Sequence, residues 1–263
     1  MRKNLMDIRA YNRNAWDKQV EQGNPWTIPV SHEQIMQARV GDWKIVLTPS
    51  IPVPEHWFPE FRAKPVLCLA SGGGQQAPIL AAAGGNVTTL DNSPRQLEMD
   101  QLVAKRVGLK ITTIEGDMRD LSMFPDNHFV LIFHPVSNIF VPEIRPVWQE
   151  AFRVLQPGGV LLSGFANPIN YIFDWQKIEE IGVLEVKYRL PYSDINDMTV
   201  DQLEKFIKDD CPLEYSHSFD DQIGGQIDAG FMITGFFEDR DPLRLIGQYM
   251  PTFFAMRAVK PKD

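Results

Sequence analysis

The stretch from Pro65 to Asp91, PVLCLASGGGQQAPILAAAGGNVTTLD, constrains the fold of this 263-residue chain more than any other part. Val66 to Ala70 is a short apolar run that suits a parallel strand buried on both faces. Three glycines at positions 72–74 follow directly, and they permit backbone angles and close approaches that a Cβ would forbid. A strand that runs straight into such a turn predicts the first half of a βαβ unit.

The second half of the unit follows in order. Gln75 to Ala83 predicts a helix with Pro78 in its first turn, and Val87 to Leu90 predicts a strand that ends at Asp91. In a nucleotide-binding unit, free N–H groups at the helix start face a polar ligand, and a terminal acid accepts hydrogen bonds from ribose hydroxyls. The sequence therefore predicts a nucleotide-type ligand. The alternatives are a plain turn of small residues and an acid that only caps the next helix.

Further strands and helices alternate along the chain. Ile111 to Glu115, His128 to His134 and Val160 to Phe165 predict three more strands. Five strands alternating with helices indicate an open parallel sheet with right-handed crossovers, in which ligands lie at the carboxyl ends of the strands. Those ends form one predicted rim, which carries Ser71 to Gly74, Asp91, Gly116 to Met118, and His134 to Asn138.

The helix after Asp91 has sequence signals at both ends. Ser93 is a capping residue, Gln96 completes a capping box, and Gly108 ends the helix. The apolar residues predict a buried stripe made of Met99, Leu102, Val103 and Val107.

Three segments lie outside this alternation. Residues 1–60 include a helix predicted from Leu5 to Val20, and their tryptophans suit packing or an aromatic cover over a ligand. Residues 167–220 leave the fifth strand at the rim, so they are predicted to be a lid-like insertion in a domain that spans residues 61–263. Residues 231–238 and 252–259 predict the last two strands, and the short connection between them favours an antiparallel pair.

Composition limits the possible partners and the location. A net charge of −8 gives no basic footprint for nucleic acid, and no stretch is long and apolar enough to cross a membrane. The N-terminus lacks the apolar core of a signal peptide, so a cytoplasmic protein is expected. Cys68 and Cys211 are the only two cysteines and suggest neither a disulfide framework nor a metal site. A monomer or a homodimer is expected.

The ordered set of motifs resembles the class I S-adenosylmethionine-dependent methyltransferases. The segments that carry the resemblance are VLCLASGGGQQ, TTLDNSPRQLE, EGDMRDL, FVLIFHPVSNIF and LQPGGVLLSGF, in the family's order and at its spacing. The resemblance implies an α/β fold with a Rossmann-like, seven-stranded, mostly parallel sheet. It also implies an antiparallel last strand, helices on both faces, and S-adenosyl-L-methionine as the cofactor.

The resemblance implies roles for residues at the strand ends. Gly72 and Gly74 would pass the methionine portion of the cofactor, and Asp91 would hold the ribose hydroxyls. Asp117 would accept from the adenine amino group, and the Met118 backbone would meet a ring nitrogen. The complete set implied to bind the cofactor is Ala70, Ser71, Gly72, Gly74, Asp91, Asn92, Asp117, Met118 and His134.

The chain also departs from the family pattern. Cys68 and Val130 stand where the family commonly has acids, and Ala70 stands where it has glycine. The missing acid at Cys68 leaves open how the ammonium group of the cofactor is held. A further alternative for Asp117 is that it only closes a turn.

A general base is needed only when the acceptor must lose a proton near the transition state. His134 is the first candidate for such a base and His217 the second, although a histidine at a strand end is often purely structural. The candidate residues for contact with the acceptor are Asn138, Tyr171, Tyr192 and His217, for which the alternative is packing.

The predicted function is methyl transfer to an unidentified acceptor, for which the acidic balance and the lid-like insertion favour a small molecule. The sequence His134-Pro135-Val136-Ser137 differs from the Asp/Asn-Pro-Pro-aromatic motif of members that methylate nucleic-acid bases or glutamine. Two other functions stay open at this point. One is an NAD(P)-dependent oxidoreductase on a related sheet, and the other is a non-catalytic regulator that binds the cofactor.

Overall fold

The computed structural model describes residues 6–262, so Leu5 of the first predicted helix lies outside the described residues. Within this range seven strands form one sheet. Their bounds are β1 (Pro65–Leu69), β2 (Asn86–Asp91), β3 (Ile111–Glu115), β4 (Phe129–His134), β5 (Leu155–Ala166), β6 (Met232–Asp239) and β7 (Phe253–Val259). The spatial order is β3-β2-β1-β4-β5-β7-β6, and β7 runs antiparallel to both β5 and β6. The predicted Rossmann-like sheet with an antiparallel last strand is confirmed.

Helices pack on both faces of the sheet, as predicted. Their bounds are α1 (Ile8–Glu21), α2 (His32–Arg39), α3 (Gln76–Ala82), α4 (Pro94–Val107), α5 (Arg145–Val154), α6 (Trp175–Ile181), α7 (Asp194–Asp197), α8 (Val200–Lys208) and α9 (Gly225–Asp228). A π-helical turn at Asp220–Gly224 precedes α9.

Strand β1 shows why its sequence is apolar throughout. Successive side chains of a strand point to opposite faces. Val66 and Cys68 therefore pack with α2 and α3 on one face, while Leu67 and Leu69 pack with α5 on the other. All four side chains are completely buried. The two-sided core fixes the carboxyl end of β1, and with it the glycine turn.

Helix α4 begins and ends where the sequence predicts, but its cap and its buried face differ. The Ser93 side chain accepts from the Gln96 N–H (3.1 Å), whereas the Ser93 N–H donates to Asp91 Oδ1 (2.9 Å), so Asp91 replaces the reciprocal bond of a capping box. Leu102 is 52% exposed. The buried residues of the helix are Gln96, Leu97, Asp100, Val103 and Ala104. The predicted stripe is confirmed at Val103, which is completely buried, and is wrong at Leu102. It counted only apolar residues and so omitted two polar side chains, Gln96 and Asp100, that are buried under the glycine turn.

Helix α1 and residues 167–220 pack against each other, and together we call them the cover. Asn12 of α1 is buried and exchanges hydrogen bonds with the Leu213 backbone at 2.8 and 3.0 Å. The Tyr11 hydroxyl donates to the Cys211 carbonyl (2.9 Å). Apolar side chains around Ile195 and Leu203 complete this contact. The two segments, distant in sequence, thus form one packed unit beside the sheet.

Two features are absent from residues 6–262. None of the helices there is both long and apolar enough to cross a membrane. The same residues contain no group of three or more His, Cys, Asp or Glu side chains placed to hold a metal ion.

Candidate active site

A cavity of about 530 Å³ lies between the carboxyl ends of the parallel strands and the cover. From the strand ends it is lined by Ala70, Ser71, Gly72, Asp91, Asn92, Asp117 and Met118. From the cover it is lined by residues that include Arg9, Asn12, Trp16, Asn170, Tyr171, Trp175, Tyr192, Asp194 and Glu214. The structure therefore brings together most of the residues that the sequence assigned to the cofactor.

Gly72 lies in the glycine turn and lines the cavity with its backbone. A Cβ built at Gly72 would lie 2.7 Å from the Gln96 Cβ and 3.1 Å from Asp91 Oδ2. The Gly72 N–H donates to Asp91 Oδ2 (2.9 Å). The absence of a side chain thus lets the turn close on Asp91 and keeps backbone on the cavity wall.

Asp91 ends β2 and lines the cavity with both oxygens already engaged by backbone. Oδ2 accepts from Gly72 and Oδ1 from Ser93, and the side chain is 9% exposed. Burial raises the pKa of Asp91 to about 6 although the backbone N–H groups oppose this shift. Each carboxylate oxygen has two acceptor positions, so the hydrogen bonds to backbone leave capacity for ribose hydroxyls.

Gly74, which the resemblance places beside the cofactor, packs closely against Pro29 and α4. It does not line the cavity, its φ is +77°, and its Cβ would lie 2.9 Å from the Pro29 Cβ and 3.0 Å from the Met99 carbonyl oxygen. Its N–H donates to Asp100 Oδ1 (2.8 Å). The glycine is required for packing between the turn and α4, so a side chain here would strain the fold itself.

Asp100 is a buried acid that the motif comparison did not identify. It is fully buried in α4, and burial raises its pKa to about 8. Burial raises the pKa of Cys68 as well. Asp100 Oδ1 accepts from the Gly74 N–H, so an acid of α4 braces the glycine turn. The sequence signal that could have identified Asp100 is its position one helical turn after Gln96, which places both side chains on the same face of α4.

Asp117, Met118 and Asn92 lie at the adjacent strand ends, as the sequence predicted. Arg119 donates to both Asp117 oxygens, at 2.7 Å to Oδ2 and 3.1 Å to Oδ1. Burial opposes ionisation of Asp117, but the hydrogen bonds and charge of Arg119 outweigh it and lower the pKa. Asn92 Nδ2 donates to the Arg9 carbonyl (2.9 Å), which joins the end of β2 to the cover.

The two histidines proposed as bases lie off the cavity wall. His134 is completely buried, its Nδ1 donates to the Leu69 carbonyl (2.9 Å), and its ring packs against Trp148. Burial lowers the pKa of His134 to about 4. His217 is buried, and its Nε2 donates to the Asn138 carbonyl (2.9 Å). None of His134, Asn138 and His217 is among the lining residues, so their placement does not support contact with cofactor or acceptor.

Tyr171 and Tyr192 do line the cavity, and each hydroxyl donates to a carboxylate that sequence reasoning missed. Tyr171 Oη donates to Glu214 Oε2 (2.6 Å), and Tyr192 Oη donates to Asp194 Oδ1 (2.9 Å). The Glu214 N–H donates to Asp194 Oδ2 (2.7 Å). At the strand ends the cavity is therefore lined by the residues predicted to bind a nucleotide-type ligand. At the cover it is lined by acidic and aromatic side chains.

Comparisons with known proteins agree with this architecture. A family model described as a methyltransferase domain matches residues 67–163. The uncharacterized methyltransferase YbaJ of Bacillus subtilis is 51% identical over 251 residues, which are 95% of this chain and 98% of that protein. The sterol 24-C-methyltransferase erg6 of Aspergillus fumigatus is 36% identical over 90 residues, which are 34% of this chain and 24% of that protein.

A solved structure has the same fold. The S-adenosylmethionine-dependent methyltransferase from Mesorhizobium loti superposes with a TM-score of 0.59 at 18% identity, covering 78% of this chain and 94% of that chain.

Proposed function

This chain belongs to the class I S-adenosylmethionine-dependent methyltransferase family, and we propose that it methylates a small molecule held between the strand ends and the cover. S-adenosyl-L-methionine is its cofactor. The observation that carries the proposal is the cavity of about 530 Å³, whose lining combines the cofactor motifs with residues of the cover. Small-molecule sites commonly measure about 300–1,000 Å³. Family membership leaves no support for the oxidoreductase or for the non-catalytic regulator.

The residues at the strand ends fit the cofactor. The tight turn at Gly72, which a Cβ would fill, suits close passage of the methionine portion. Asp91 is a buried acceptor beside it and suits the ribose hydroxyls. Asp117 and Met118 lie further along the same wall and suit the adenine. Ala70, Ser71 and Asn92 complete the proposed cofactor-binding set.

The cofactor supplies a methyl group activated on a sulfonium, so the chain itself mainly aligns the acceptor and excludes water. The cover suits both tasks because its aromatic and polar residues line the cavity opposite the strand ends. The net charge of −8 also opposes a nucleic-acid acceptor. A cytoplasmic location and a monomeric or homodimeric state stay predictions.

A labelled-methyl screen tests this proposal. The wild-type chain is incubated with S-adenosylmethionine that carries a radioactive methyl group, together with pools of small amines, phenols, thiols and carboxylic acids, and separately with transfer RNA and with a protein mixture. We expect label in one or more small-molecule pools, because residues of the cover line the cavity together with the strand ends. Label transferred only to RNA or to protein would contradict the proposed acceptor class.

A further inference from the structure

We propose that the side-chain amide of Gln76 donates a hydrogen bond to the carboxylate of the methionine portion of S-adenosylmethionine. This inference rests on the proposed cofactor site and adds to it a residue that the family motifs do not assign. It concerns the amino-acid end of the cofactor, where this chain has Cys68 in place of the acid that is common in the family.

The Cys68 side chain does not take over the task of an acid. It is completely buried, packs with α2 and α3 on one face of the sheet, and does not line the cavity. The cavity lining contributed by the glycine turn and by residues 24–28, which pack on that turn, carries no charged side chain. These lining residues are Asn24, Trp26, Ala70, Ser71, Gly72, Gln75 and Gln76. A methionine portion that passes Gly72 therefore meets neutral hydrogen-bonding groups from both segments.

Two glutamines follow the turn, and their amides are used differently. Gln75 Nε2 donates to the carbonyls of Pro25 (3.0 Å) and Ile28 (3.1 Å), so this amide braces the turn. Gln76 begins α3, is only 8% exposed and lines the cavity. The Ser71 hydroxyl donates to Gln76 Oε1 over 3.4 Å, which turns the amide oxygen toward the end of β1. The Gln76 amide is thus held beside the glycine turn without being used to brace it.

The amide nitrogen of Gln76 is the group that remains available. Nε2 has no hydrogen-bond partner among residues 6–262. It also keeps accessible surface, in contrast to the enclosed Oε1 of Gln96. Gln76 borders a second cavity of about 710 Å³ as well, but Ser71 does not line that one, so the contact with Ser71 assigns the amide to the active-site cavity. A largely buried N–H donor at this place calls for an acceptor.

The methionine carboxylate is the acceptor that suits this donor. An ionised carboxylate only accepts hydrogen bonds, whereas the ammonium group at the same end of the cofactor only donates them and cannot pair with an N–H. A hydrogen bond to a charged acceptor is stronger than one between neutral groups. The neutral amide of Gln76 can therefore hold the amino-acid end of the cofactor through its carboxylate.

Three ligands that differ at the amino-acid end test the inference without turnover. S-adenosylhomocysteine carries the carboxylate and the ammonium group, its decarboxylated analogue carries the ammonium group alone, and methylthioadenosine carries neither. Isothermal titration calorimetry compares their affinities for the wild-type chain and for Gln76→Met, which keeps an unbranched side chain but has no N–H. We expect Gln76→Met to weaken S-adenosylhomocysteine at least about tenfold and the other two ligands less than about twofold.

A second variant and a matched control accompany this comparison. Gln76→Glu keeps an oxygen that can accept from Ser71, but it loses the N–H and adds a negative charge. It should weaken S-adenosylhomocysteine at least as much as Gln76→Met does, without weakening the decarboxylated analogue. Gln101→Met changes an exposed glutamine of α4 that does not line the cavity, and it should leave all three affinities unchanged. Melting temperatures check that the variants are folded, and Gln76→Glu decides the matter if Gln76→Met is not.

Three results would overturn the inference while the cofactor and the proposed acceptor class stand. Equal losses for all three ligands would mean that Gln76 maintains the shape of the cavity. Equal losses for S-adenosylhomocysteine and its decarboxylated analogue, with none for methylthioadenosine, would mean that Gln76 does not act on the carboxylate. Unchanged affinities for all three would exclude Gln76 from the site. Failure of the wild-type chain to bind S-adenosylhomocysteine would instead overturn the cofactor site itself, and this inference with it.

Discussion

Replacing Asp91 by alanine is expected to weaken the binding of S-adenosylhomocysteine by roughly 30- to 1,000-fold, which corresponds to about 2–4 kcal/mol. Two effects act in the same direction. The variant loses the charge-assisted hydrogen bonds proposed for the ribose hydroxyls. It also frees the Gly72 and Ser93 N–H groups that Asp91 now accepts at 2.9 Å, which loosens the turn on the cavity wall. Isothermal titration calorimetry gives the affinity directly.

Glu115 provides a matched control for Asp91. It ends β3 at the position paired with Asp91, but its side chain is 43% exposed and does not line the cavity. Glu115→Ala should therefore leave the affinity within about twofold of wild type, because an exposed ion pair contributes little. Equal affinities of the wild-type chain and Asp91→Ala, with both folded, would show that Asp91 does not hold the ligand.

Asp100→Asn is expected to stabilise the chain increasingly as pH rises. The buried Asp100 has a raised pKa of about 8, against 3.8 for the ordinary group. Between these values the folded chain keeps a proton on Asp100 that the unfolded chain releases, so the free energy of unfolding falls with rising pH. Asparagine has no such proton and can still accept from the Gly74 N–H. The difference between variant and wild type should grow by about 1.4 kcal/mol per pH unit up to about pH 8.

Urea unfolding of the wild-type chain and the variant at pH 5.5, 6.5 and 7.5 measures this difference. Glu98→Gln is the control, because Glu98 is an exposed acid on the same helix and pairs with Arg95 at the surface. The difference in the free energy of unfolding between Glu98→Gln and wild type should not grow with pH. A stability difference between Asp100→Asn and wild type that is constant across the three pH values would mean that Asp100 ionises alike in the folded and unfolded chains.

The sheet could be predicted from sequence because each strand carries its own local evidence. Strand β1 is a short apolar run followed by glycines, and the short connection between the last two predicted strands favours an antiparallel pair. These signals depend on neighbours in the chain and need no knowledge of distant contacts. For the same reason the ends of the parallel strands, and thus Gly72, Asp91 and Asp117, could be assigned to one rim.

The remaining site residues depend on contacts between distant segments. Asp194 and Glu214 become a pair only because the cover folds back on itself, so no local pattern indicates them. His134 was misleading for another reason. Alternation along β4 gives it the same face as Ile132, which packs with α5, so its ring lies against Trp148 and away from the cavity. Counting the side-chain alternation to the strand end would have indicated this.

Hydrogen exchange with and without S-adenosylhomocysteine tests the central claim, that the cofactor binds at the strand ends beneath the cover. At a ligand concentration about one hundred times Kd, segments that open only in the free chain should exchange roughly 100-fold more slowly. We expect this protection at residues 70–76, 90–93 and 116–119. We also expect it in α1 and residues 167–215, because Arg9 and Asn92 join the cover to the rim. Protection confined to the strand ends would show that the cover takes no part in binding the cofactor. Protection of other segments, with none at residues 70–76, would contradict the claim that the cofactor binds at the strand ends.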